Sequence, residues 1–164
     1  MRNIILIIIF LLSSKILSQN KEGNIIITID QNVHPSLSNM YILKGEKKYY
    51  ISYFPGKFVI KESDYLDLLS KDNSSSLKLV LSSNSQCKDD LVSKMYEIED
   101  FKLSWLEQPY VILYIYNTDN KNYKNIYKPL QGKSYTYDYE YPGGTMKRTQ
   151  KTFTKDQKKC QSNN

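Results

Sequence analysis

Residues Tyr135–Tyr141 read YTYDYEY and run directly into Pro142-Gly143-Gly144. Odd positions carry tyrosine; the even positions Thr136, Asp138 and Glu140 are polar. A strand turns successive side chains to opposite faces, so this alternation predicts a β-strand with one aromatic face. Two placements of that face are consistent with the pattern. The rings of Tyr135, Tyr137, Tyr139 and Tyr141 could lie on a core, with their hydroxyls at its rim. They could instead form an exposed strip that receives a glycan or a partner strand. The turn decides what lies opposite. A two-residue loop sets Asp138 against Lys147, Tyr139 against Met146 and Tyr137 against Arg148. A three-residue loop moves Lys147 beside Tyr139. Either register offers a cation to an aromatic ring, so Lys147 and Arg148 join the four tyrosines as candidate ligand-binding residues.

Upstream, Tyr110–Tyr116 (YVILYIY) is apolar on both faces, which predicts a central strand covered on both sides. Asn24–Asp30, Met40–Leu43, Lys48–Phe54 and Lys57–Lys61 read as strands, the last three as a meander through Gly45-Glu46 and Pro55-Gly56. Leu77–Ser82 and Tyr96–Phe101 are two more, joined by a loop over Asn84–Asp90. Tyr123–Lys128, flanked by lysines, suits a sheet edge. Thr145–Phe153 follows the tyrosine strand. Ser63 is placed to cap a short helix over Asp64–Ser70, and Thr154 with Gln157 matches a capping box. Trp105 and Leu106 fall in a connection, where the single tryptophan would plug the core or cover an edge. About ten short strands without alternating long helices predict an all-β, antiparallel sandwich; a closed barrel is the second choice.

The first 18 residues, MRNIILIIIFLLSSKILS, place Arg2 before the apolar run Ile4–Leu12. That run is too short to span a bilayer but suits a secretory signal cleaved before Gln19. The chain then divides into a signal peptide (1–18), a main body (19–144), and a last strand with a basic segment (145–164). Localisation is expected to be secreted or periplasmic, with no transmembrane span after cleavage. The formal charge is +6. The excess sits in the last segment, where Lys147, Arg148, Lys151, Lys155, Lys158 and Lys159 face only Asp156. Such a segment attracts polyanions, and export makes nucleic acid an unexpected one. Cys87 and Cys160 are the only cysteines, and in an oxidising compartment they would pair, worth about 4 kcal/mol by chain entropy.

Composition adds little. The chain has no alanine and 15 tyrosines, a bias that AT-rich codons explain, so placement carries the information. Catalytic equipment is sparse. His34 is the only histidine and stands in a turn beside Pro35. No G-x-S-x-G elbow occurs. Gly132-Lys133-Ser134 resembles the end of a phosphate loop, but Tyr127 stands where its first glycine belongs and a strand follows. Asp119–Asn122 resembles half a calcium loop, but Leu130 replaces the bidentate glutamate. Neither a metal site nor a cofactor is called for, and no catalytic residue is assigned. Glu97 with Glu99, and Asp138 with Glu140, share strand faces, and paired carboxylates can hydrolyse glycosides. The expectation is a non-catalytic binding, adhesion or envelope-associated module for a glycan or an envelope protein. A small polysaccharide hydrolase using those pairs is the alternative.

Overall fold

A computed structural model describes residues 20–70, 76–87 and 90–152, with the side chains of 85–92 left out of account. The chain is an all-β, sandwich-like fold with one helix, and no described sheet closes into a barrel. The strands are β1 (Asn20–Gly23), β2 (Ile25–Ile29), β3 (Asn32–Val33), β4 (Ser38–Lys44), β5 (Lys47–Tyr50), β6 (Ser52–Phe54), β7 (Lys57–Lys61), β8 (Leu77–Cys87), β9 (Asp90–Ile98), β10 (Val111–Asn117), β11 (Tyr127–Lys128), β12 (Tyr135–Tyr141), β13 (Gly144–Lys147) and β14 (Gln150–Lys151). The helix α1 covers Glu62–Leu69, and a 3-10 turn covers Leu103–Glu107.

Two larger sheets form the sandwich, in the orders β13-β12-β10-β2-β3 and β5-β4-β8-β9. A third sheet, β1-β7-β6, closes one end. Ile25, Ile27, Leu113, Ile115, Ile42, Leu79, Leu81, Ile98, Phe58 and Ile60 come from all three sheets and meet in one fully buried cluster. β-branched and leucine side chains at alternate positions account for that packing. Two strands bend between sheets. Asn24 separates β1 from β2, and Ile51 separates β5 from β6, so Lys48–Phe54 is two strands in different sheets rather than one. A Cβ at Gly23 would stand 2.7 Å from Leu106 Cδ2 and 2.9 Å from its Cα, so only glycine lets β1 cross the 3-10 turn this closely.

β10 is the central strand expected from YVILYIY, with Val111, Leu113 and Ile115 fully buried. Its other face is only half-covered; Tyr116 there packs against Tyr123 and Tyr127, with ring centroids 5.5 and 4.9 Å away. β10 runs parallel to β2, so the fold is not wholly antiparallel. Two further expectations fail. In the polar stretch Asn84–Asp90, Asn84–Cys87 and Asp90 are strand rather than loop, because β8 and β9 pair continuously from Leu79–Ile98 to Cys87–Asp90. Tyr123–Lys128 is mostly turn, and only Tyr127–Lys128 pairs, with β14. The helix starts one residue before Ser63, and Ser63 does not cap it. Its C-terminal end is held instead by Lys44, whose Nζ donates to the carbonyls of Leu68 and Ser70 at 3.3 and 3.2 Å, a favourable place for a cation. The Thr154–Gln157 capping box lies outside the described residues.

Thr136 is fully buried on the face away from the main core, and among the described residues its hydroxyl has no partner. An unmatched buried hydroxyl costs free energy. Thr136→Val keeps the shape and should raise stability by about 1 kcal/mol, read from urea unfolding midpoints.

Candidate functional site

The site grows from β12. Its rings face inward: Tyr135, Tyr137 and Tyr139 are 3, 2 and 2 % exposed. The exposed aromatic strip is therefore corrected. Three of the four rings are core, because their strand face is the one that Leu113 and Ile115 share across β10. Tyr141 lies partly open at the strand end. The β12–β13 hairpin has the two-residue loop, with Gly143 at φ +90°, and pairs Asp138 with Lys147 and Tyr139 with Met146. Arg148 does not continue the ladder opposite Tyr137. Asp138 Oδ1 accepts the Arg148 and Thr149 amides at 2.7 and 2.9 Å and bends the chain there. Lys147 remains exposed, on no ring.

The hydroxyls of the inward rings emerge at the edge of the opposite sheet. β9 is the last strand of that sheet, so the Glu97 and Glu99 amides point away from β8. The Glu97 N–H donates to the Tyr135 hydroxyl at 2.7 Å, and that hydroxyl donates back to the Glu97 carbonyl at 3.0 Å. The Glu99 N–H donates to the Tyr137 hydroxyl at 3.2 Å, which donates to the Asp100 carboxylate at 3.1 Å. Tyr53 does the same elsewhere, accepting the Ile27 N–H at 2.9 Å. Tyrosine oxygens thus stand in for a missing neighbouring strand and seal the open edge. Burial, with Asp100 alongside, pushes the Tyr137 phenol well above its ordinary range, so it stays a neutral donor.

Above this seam lies a depression of about 340 Å³ lined by Glu97, Glu99, Leu130, Lys133, Tyr137 and Arg148. Lys133 reaches over the β9 edge and hydrogen-bonds Glu97. Arg148 forks onto Asp100, its Nε at 2.6 Å from Oδ2 and its second nitrogen bonded to Oδ1. Lys78 Nζ stands 3.8 Å from Glu99. The hydrogen bond from Lys133 holds the Glu97 carboxyl below its usual range, and Arg148 does the same for Asp100. A glycosidase acid needs the opposite shift, a carboxyl held protonated near neutrality. The other pair is separately engaged: Asp138 is used by the Arg148–Thr149 bend, and Glu140 stands beside Tyr114 on the outer face, where its charge adds to burial in raising the Tyr114 phenol. A second hollow of about 140 Å³ adjoins along β12, floored by Trp105 and Tyr139 and rimmed by Tyr141, Met146 and Lys102.

His34 sits 3.5 Å from Ser83 Oγ, and burial lowers its pKa. Asp30 lies nearby, but its carboxylate is occupied by Asn117 and Asn120 at 2.8–3.0 Å. Among the described residues no cluster of three metal-ligating side chains occurs. The Cys87–Cys160 pairing lies outside the described residues, since Cys160 and the Cys87 side chain are not among them. Lys133 and Leu130 were visible in sequence only as parts of rejected motifs, and Asp100 carried no signal. No family model, curated protein or solved structure matches the chain.

Folding pairs Asp100 with Arg148 and Glu97 with Lys133, so both acids titrate lower folded than unfolded. Their stabilisation is therefore present above the unfolded carboxylate range and is lost as pH falls through the folded values. Wild type should lose unfolding free energy steadily on acidification below about pH 4. Arg148→Gln should flatten that limb, as read by urea midpoints at stepped pH.

Proposed function

We propose that the chain is an exported, non-catalytic binding or envelope-associated module. The observation that carries this is the depression over the β9–β12 seam: solvent-open, floored by the rigid core ring of Tyr137, and lined by Glu97, which Lys133 holds ionised, and by Arg148, which is fixed on Asp100. Fixed hydrogen-bonding groups on a rigid frame suit recognition of a polar ligand. Acids held ionised in this way do not suit proton donation.

Export follows from Arg2 and the apolar run to Leu12, and Cys87–Cys160 pairing follows from export. No helix among the described residues is long and apolar enough to cross a membrane. Mass spectrometry of secreted or periplasmic material should find a chain beginning at or near Gln19, with both cysteines refusing alkylation before reduction. The basic segment adds a weak, salt-dependent affinity for polyanions. Arg148 is already held by Asp100, so within the described part Lys147 and Lys151 carry that affinity. Retention on heparin at low salt should fall when 149–164 are removed, a deletion that leaves Lys147 in place; equal retention would show that the residues from 149 on play no part.

The module reading is tested with the mature chain against envelope extract and a glycan panel. Wild type should be retained by at least one of them, and Glu99→Ala should weaken that retention at least fivefold while the melting curve stays unchanged. No retention by either, or hydrolysis of a panel glycan, would contradict it.

A further inference from the structure

We infer that the outer face of the four-stranded sheet binds a neutral, linear glycan that runs from an aromatic shelf into the Glu97 end of the depression. The inference rests on the module reading and names its ligand class. The strand register places Tyr50, Tyr41, Val80 and Glu97 in one row across β5, β4, β8 and β9. Their in-sheet neighbours Tyr49, Ile42, Leu79 and Ile98 are core, so this row lies on the opposite face, where Val80 is covered at 2 % exposure and the track is formed by the larger side chains of Tyr50, Tyr41 and Glu97 on either side of it. Three strand spacings separate Tyr50 from Glu97, about 14 Å, the length of a short oligosaccharide.

At one end, Tyr50 is 65 % exposed and its ring lies 5.9 Å from that of Tyr41. Such a ring offers its face to the C–H side of a sugar and its hydroxyl to a ring oxygen. Lys48 Nζ sits 4.9 Å from the Tyr41 ring centre and fixes the shelf. The adjacent row runs Lys48, Leu43 and Lys78 and ends at Glu99. Lys78 is paired with Glu99 and Lys133 with Glu97, so these four charges neutralise one another. A polyanion approaching this face meets Glu97 and Glu99; a polycation meets Lys48, Lys78 and Lys133. An uncharged polyol meets both donors and acceptors, which suits hydroxyls that both give and take hydrogen bonds.

Affinity electrophoresis through gels containing a soluble β-glucan, a galactomannan or an α-glucan tests this, with alginate as the anionic comparison. Wild type should be retarded by at least one neutral polymer. Tyr50→Ala should lose at least tenfold in affinity, with an unchanged melting curve because the ring is exposed. Phe54→Ala serves as the control: it is 64 % exposed but lies in the three-stranded sheet, off this face, and should bind as wild type. The inference fails if no neutral polymer retards wild type, if alginate alone does, or if Tyr50→Ala binds undiminished. Retention on envelope protein without any of these interactions would overturn the glycan assignment and leave the module reading standing.

Discussion

Tyr137→Ala is expected to cost the domain about 3–5 kcal/mol, enough to leave little folded protein at 37 °C. Its ring is 2 % exposed, between Ile115 on its own sheet and the β9 edge opposite. Truncation opens a cavity and also strands two polar partners, the Glu99 amide and an Asp100 oxygen. Tyr137→Phe separates these effects. It keeps the ring and removes only the hydroxyl, and should cost about 1–3 kcal/mol. Urea unfolding of both variants measures the split. An unchanged curve for Tyr137→Ala would mean that the tyrosine face is not core.

Trp105→Ala should be as severe, about 3–5 kcal/mol. Trp105 is 3 % exposed, with ring centroids 5.3 Å from Phe101 and 4.5 Å from Tyr139. It closes the end of the sandwich where the β9–β10 connection crosses β1, and the neighbouring Leu106 is the side chain that requires Gly23. Removing the indole extends the 140 Å³ hollow into the core rather than letting it collapse, because β12 and the connection are fixed on both sides. Circular dichroism melting follows the loss, with Trp105→Phe retaining most of the stability. A melting temperature equal to wild type for Trp105→Ala would show the tryptophan to be a surface cover only.

Legibility in the sequence followed the strength of the hydrophobic pattern. YTYDYEY and YVILYIY are strong alternating or doubly apolar runs, and both became strands, the second covered fully on one face and half on the other; of the two hairpin registers left open, the two-residue one formed, with Asp138 on Lys147. The far half of the β8–β9 hairpin was not legible, because Ser82–Gln86 contains no apolar residue to mark a strand face. The parallel β2–β10 pair was hidden too, since both strands are isoleucine-containing apolar runs with no turn to orient them. The seam was half-legible. Glu97 and Glu99 were visible as a pair and the tyrosines as a strip. That the hydroxyls would cross to another sheet depends on how two sheets pack, which no local spacing encodes. Asp100 and Lys133 enter the site only through that packing. The abundance of tyrosine, attributable to codon bias, is nonetheless put to use: three of its hydroxyls occupy strand amides that lack a neighbouring strand.

The central claim is that β12 tyrosines seal the β9 edge, and native-state hydrogen exchange of the Glu97 and Glu99 amides tests it most directly. Glu97 lies on the open side of the edge strand and Glu99 just past its end, where unpaired amides exchange freely. In wild type both should be protected to a degree comparable with the β8-paired amide of Ile98. Tyr135→Phe should release Glu97 alone and Tyr137→Phe should release Glu99 alone, each by at least tenfold in exchange rate. Rapid exchange of both amides in wild type, or protection unchanged in the two phenylalanine variants, would contradict the account.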